Sequence, residues 1–310
     1  MTIRLDRLSG TGAVPRLDSG TRLSALMAAA LGSSMIALAV ITAKTGIRFH
    51  SEFLGIAGLA VVTAVLSLYC DFRGLGWRIA DLARLMTFFI ASLLLCGLVS
   101  NGGLGLRMPV ADPLLASLDA YLPLDSRSMV YFTASQDMAV RVLKWAYDSS
   151  AVLCLAAAAW MVASGEGLRF WRFVATAVVT MQATAIASMF FPARGAILHY
   201  DMKGPGLEGL PIGAGTYAGQ TFDMFYSGVG RVVRIEDLNG IVTFPSFHTV
   251  LALLIVQGAY ATPARWPAIV WAALTIVSTI PMGGHYVTDL IGGFAVWAVS
   301  LKTVERISAR

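Results

Sequence analysis

Four residues are spaced for nucleophilic and acid–base chemistry: Ser246, His248, His285 and Asp289. Asp289 follows His285 by four residues, so on a helix the two share one face about a turn apart. A carboxylate there accepts an imidazole N–H and fixes the tautomer. The other ring nitrogen is then left as a directed base or nucleophile. His248 stands at the mouth of the apolar run "FPSFHTVLALLIV", where Ser246 suits an N-cap. Helix starts at both histidines predict free N–H groups and the positive dipole end facing an anion. Gly283 and Gly284, just before His285, permit close backbone approach. A histidine nucleophile, a second histidine as acid, an aspartate as orienter and N–H donors around them describe phosphoryl transfer through a phosphohistidine. The rival use of His, His and Asp is a metal site. The long loop before His248 offers no obvious cluster of further ligands for one.

The elements that must position these residues are membrane helices. The 310 residues are 57% hydrophobic and 13% charged, against roughly 25% charged in a soluble domain, and the mean hydropathy is +0.71. A spanning helix needs roughly 20 apolar residues. Candidate spans are 23–43, 53–70, 85–100, 143–163, 172–191, 247–261, 267–282 and 285–302, which predicts an all-α polytopic membrane bundle of about eight transmembrane helices. The segment 101–142, with Pro109, Pro113, Pro123 and the alternating "DPLLASLDAYLPLD", reads as interfacial and amphipathic. The Gly-rich connection 192–245 is long enough that function or disorder is expected of it. The net charge of +5 comes with no Lys/Arg block and no aromatic-basic alternation, so nucleic acid is not expected as a partner. Cys70, Cys96 and Cys154 fall in apolar stretches and read as small buried hydrophobes. The first apolar segment, after Arg4, Arg7, Arg16 and Arg22, is too long for a signal peptide's apolar region and reads as a helix.

Lys and Arg in the shorter loops set the orientation. The N-terminus, Arg73, Arg78, Arg84, Arg169, Arg172, Arg265 and the tail with Lys302, Arg306 and Arg310 fall on one side, outvoting Lys44 and Arg48. That side is expected to be cytoplasmic, with both termini, in a cell inner or plasma membrane. Both histidines and both long connections are then expected on the outer, extracytoplasmic face.

"FPSFHT" and "GGHYVTDLIGG" resemble the second and third signature motifs of the type 2 phosphatidic acid phosphatase superfamily. They most resemble its inositolphosphorylceramide synthase-like branch, of which "VLKWAYDSS" (142–150) and "FFPARGA" (190–196) also look like markers. The resemblance covers roughly 110–302. It divides the chain into a 1–100 region with added transmembrane helices, a 101–302 catalytic core and a 303–310 cytoplasmic tail. It implies His285 as the nucleophile on phosphorus, Asp289 as its partner and His248 as the acid protonating the leaving oxygen. Ser246, Arg194 and Gly284 are implied to hold the phosphate, with Asp148 and Tyr200 near the site. Phe247 stands where the wider superfamily has Gly, and Thr279 where it has Arg, as in the transferase-like branch. Arg194 must then supply the positive charge, with Lys203, Arg231 and Arg234 as further cations of the outer loop that read better as solvated charges. Lys144 and Asp148 read as an i,i+4 ion pair.

The expected activity is a lipid phosphate phosphatase or phosphotransferase. The substrate is a membrane lipid phosphate, and the acceptor is water or a hydroxyl-bearing compound. No metal or other cofactor is expected, because the protein supplies the positive field. The alternative is a catalytically silent lipid-binding or transport protein of the same fold.

Overall fold

The computed structural model describes residues 19–204, 206–238 and 240–309. Arg4, Arg7, Arg16 and Arg310 of the orientation argument lie outside them. The described residues form an all-α bundle: α1 Ser19–Thr45, α2 Phe53–Arg73, α3 Trp77–Gly103, α4 Asp112–Asp119, α5 Ser126–Ala134, α6 Asp137–Ser164, α7 Gly167–Phe190, α8 Ala196–His199, α9 Gly219–Ser227, α10 Phe247–Ala259, α11 Arg265–Gly283 and α12 Val287–Ala309. The only sheet among them pairs β1 (Arg48–Phe49) in parallel with β2 (Val232–Val233), tying the α1–α2 turn to the long connection before α10.

Among the described residues seven helices are long and apolar enough to cross a membrane: α1, α2, α3 (with the 3-10 turn that extends it to Leu106), α6, α7, α11 and α12. The chain is therefore an integral membrane protein. The expected span at 247–261 is the shorter apolar helix α10, of 13 residues. The interfacial segment resolves into α4 and α5, two short helices of eight and nine residues.

At the centre stands α7, with 67% of its most apolar stretch buried, against 17% for α1 and α2 on the rim. Its buried Phe170, Phe173, Val174 and Val178 meet Leu23 and Met27 of α1, Val250 and Leu254 of α10, and Met161 of α6. Small residues recur down α7 at Thr176, Thr180, Thr184 and Ser188. Between bilayer helices packing, rather than water exclusion, drives association, and small side chains let backbones approach. The hydroxyls of Thr176 and Thr180 donate to the carbonyls of Arg172 and Thr176 at 2.8 and 2.6 Å, so close packing leaves those groups satisfied.

Contacts between helix ends fix the polarity of the bundle. Ser19 at the start of α1 donates to the carbonyl of Ser308 near the end of α12 at 2.9 Å. Arg172 of α7 donates to the Ser308 hydroxyl at 2.8 Å, and Arg169 to the Gly258 carbonyl of α10 at 2.6 Å. The opposite end holds the α3–α6 segment, the α7–α10 connection and the turn from α11 into α12.

Candidate active site

His285 is delivered by the end of α11. Gly284 takes a left-handed conformation at φ 71°, and its N–H donates to the Ile280 carbonyl at 3.1 Å while that of His285 donates to Thr279 at 3.3 Å. This is a Schellman ending, which stops the helix and satisfies its last carbonyls. A Cβ on Gly284 would come 2.6 Å from the Gly215 carbonyl oxygen, so glycine is needed there for space as well as for φ. The Gly284 carbonyl accepts from Ala196 N–H at 2.6 Å, and the Gly215 N–H donates to Met282 at 2.7 Å. Both halves of the α7–α10 connection are thereby fastened to the turn that carries His285.

One turn into α12, fully buried Asp289 accepts from Nδ1 of His285 at 3.1 Å and from the Tyr286 N–H at 2.9 Å. The Nε2 edge of His285 lies toward Gly283 and the Tyr147 hydroxyl. A Cβ added at Gly283 would meet Nε2 and that hydroxyl, each at 3.1 Å, and Cδ2 at 2.7 Å. Tyr147 of α6 stacks on His248 with ring centroids 3.8 Å apart and planes 19° from parallel, and its hydroxyl meets that of Tyr217 at 3.0 Å. His248, His285, Tyr147, Tyr217, Gly283 and Arg194 line one cavity of about 290 Å³. Sequence positions 37 apart thus reach one chamber because α10 and α11 form an antiparallel pair.

The acidic residues of the interfacial segment hold this chamber together. Asp112 accepts from the N–H groups of Arg194 and Gly195 at 2.8 and 2.9 Å and from the Tyr286 hydroxyl at 3.0 Å. Asp119 accepts from the N–H groups of Val287 and Thr288 at 2.9 and 2.8 Å and from the hydroxyls of Thr288 and Ser126 at 2.6 and 2.5 Å. Here the expectation of free donors at both helix starts needs correction. At α12 the N–H groups of Tyr286, Val287 and Thr288 are already taken by Asp289 and Asp119.

Ser246 caps α10, its hydroxyl accepting from the Thr249 N–H at 3.4 Å and its own N–H donating to the Asp289 carbonyl at 3.0 Å. It is fully buried, and neither it nor Gly284 is part of the cavity wall. Among the described residues Arg194 is the only Lys or Arg on that wall, and its guanidinium donates to Asp223 at 2.6 Å. Lys203 pairs with Asp201 away from the wall, and Arg231 and Arg234 are exposed off it. Thr279 is buried, its hydroxyl turned to the Ile276 carbonyl at 2.7 Å. Asp148 pairs with Lys144 on an exposed face of α6, next in sequence to the Tyr147 that faces the cavity. Tyr200 packs edge-on against Tyr286 with the Arg127 guanidinium 4.8 Å over its ring, off the cavity wall. Burial raises the Tyr200 phenol above its usual range, against the pull of Arg127, so it is a neutral group.

Asp112, Asp119, Tyr147 and Tyr217 are absent from the residues picked out by sequence. The two aspartates stand seven apart, two turns of one helix face, and an apolar segment carrying that pair was the available signal. Tyr147 lies inside "VLKWAYDSS", but nothing local says that it stacks on a histidine a hundred residues later. Among the described residues no group of three or more His, Cys, Asp and Glu side chains converges as metal ligands would.

No curated protein and no solved structure matches the chain. A family model described as the PAP2 superfamily matches residues 113–303, from α4 to near the end of α12, and so spans both histidines and Asp289. The chain belongs to the PAP2 superfamily, whose members are phosphatases and phosphotransferases.

Proposed function

We propose that the protein is a lipid phosphate phosphatase or phosphotransferase that works through a phosphohistidine on His285, in the transferase-like branch of its superfamily. The observation that carries this reading is the orientation of His285: Nδ1 is bonded to a buried carboxylate, and the Nε2 edge is toward a cavity shared with His248 and Arg194. The Nε2 lone pair attacks phosphorus, the P–N bond forms and the P–O bond to the alcohol breaks. Protonated His248 gives its proton to the departing oxygen. Water, or a second hydroxyl compound, then attacks the phosphohistidine and loses a proton to His248, which frees Nε2 again. Asp289 stabilises the positive charge on the His285 ring during the transfer. Arg194, released from Asp223 or shared with it, offsets the charge of the phosphate oxygens. The site opens at the outer membrane face, where the Lys and Arg distribution puts the α7–α10 connection.

A silent lipid-binding protein is the second reading, favoured by the single cavity cation and its pairing with Asp223. Phosphate release from a long-chain alkyl phosphate by the purified protein, beside His285→Ala, separates the two. The enzyme reading expects release from the wild type alone, and addition of a primary alcohol diverts phosphate into a new ester if the acceptor is a hydroxyl compound. Equal release from wild type and variant across a panel of lipid phosphates, with and without alcohol, would leave the binding protein.

A further inference from the structure

The histidine cavity adjoins a second one among the apolar helices. Leu93 of α3 and Phe247 of α10 line the first, and the same two residues line the second, of about 100 Å³ between α3, α6, α7 and α10. Phe88, Phe173, Met181 and Leu251 are among its walls, and no charged residue is. Along α3 and α6 this well runs about two turns away from the histidines, from Leu93 back to Leu85 and from Ala151 on to Ala158. Leu93 and Ala151, on the two helices that flank it, are both exposed, so the well is not sealed between α3 and α6. One of its walls, α3, lies before the family-matched segment 113–303.

Resting on the phosphoryl-transfer reading, we propose that this well is a binding site for one hydrocarbon chain of the phosphate ester. The ester enters sideways between α3 and α6, and Phe247 and Leu93 form the collar between chain and phosphate. Lipid tails are as apolar as the well, so moving a chain from bilayer to protein gains little by exclusion from water. Fit is what the well contributes. Even one methylene of misfit in an apolar pocket discriminates by about ten- to 200-fold. Phe247 narrows the collar where a smaller residue would leave it wide, which suits a single chain. The larger groove of about 700 Å³ between α6, α10 and α11, at Trp145 and Trp271, shares no wall residue with the histidine cavity.

The test is photolabelling with hexadecyl phosphate carrying a diazirine at the middle of its chain, in phosphatidylcholine nanodiscs, with His285→Ala protein so that the probe is not turned over. Adducts are expected on 85–93 of α3 and 173–181 of α7, and excess unlabelled hexadecyl phosphate should suppress them. Competed adducts in the Trp145–Trp271 groove, or uncompeted adducts scattered over the lipid-facing helices, overturn the proposal. Ala151→Phe, which adds bulk at an exposed position of the well, gives the second measurement. It should lower the ratio of kcat/KM for hexadecyl over butyl phosphate by at least about tenfold, and an unchanged ratio counts against the chain site. The two readings fail separately. Competed labelling of the well with no wild-type phosphate release removes the enzyme and leaves the chain site, whereas release with labelling elsewhere removes the chain site alone.

Discussion

At the scale of single residues, what matters is which edge of His285 is held by Asp289 and which is turned to the cavity. Asp289→Asn keeps the size of the side chain and loses the charge that accepts from Nδ1. Phosphate release should then fall by at least about a hundredfold in kcat, with the protein still folded by circular dichroism; near-normal turnover would mean that Asp289 is structural. Gly283→Ala places a methyl group 2.7 Å from Cδ2 of His285 and 3.1 Å from Nε2. A displaced nucleophile costs about a hundredfold, so kcat is expected to fall while the thermal midpoint changes little. A wild-type kcat for this variant would mean that the Nε2 edge is not where phosphorus arrives. The His285–Asp289 bond was legible in the sequence because it is local, four residues along one helix. Asp112 reaches Tyr286 across 174 residues and Tyr147 reaches Tyr217 across 70, and no local pattern encodes such meetings. Ser246 shows the opposite case. Its capping role was readable, and the same role turns its hydroxyl to the Thr249 N–H and keeps it off the cavity wall.

At the scale of elements, apolar runs announced all the long helices, because the bilayer sets the length of what crosses it. Their ends were less legible. The expected start of the last span at residue 285 becomes a Schellman turn followed by α12 from Val287, since glycine geometry and an aspartate decide the boundary. Asp119 is that aspartate, and it comes from α4, an interfacial helix with no membrane signature. Asp119→Ala leaves the N–H groups of Val287 and Thr288 without their acceptor. The cost should be about 1–3 kcal/mol, read as a lower thermal midpoint in detergent, with activity falling because α12 carries Asp289. An unchanged midpoint would show that water or backbone replaces the cap. In the sequence the α7–α10 connection stands out by its length alone. It carries α8 and α9, and it sets Tyr217, Leu238, Val242 and Thr243 over the cavity.

At the scale of the whole molecule, two histidines far apart in sequence meet because α10 and α11 pass down and back through the bundle, α10 leaning on α6 and α7 and α11 on α6. The family match begins at 113, yet α3 packs on α7 and lines the histidine cavity, so a helix that precedes the matched segment is part of the chamber. The orientation predicts that a cysteine at Ile212, fully exposed on the α7–α10 connection, reacts with a membrane-impermeant maleimide in intact cells, while one at Lys302 reacts only after lysis. The reverse pattern would put the site on the cytoplasmic side. The central claim is the covalent one, and trapping tests it most directly. Protein turning over a phosphorus-labelled alkyl phosphate is quenched in alkali, in which phosphohistidine survives, and the labelled peptide is mapped. The account predicts label on His285 Nε2 in the wild type and none in His285→Ala; turnover with no labelled protein, or with label on another residue, would contradict it.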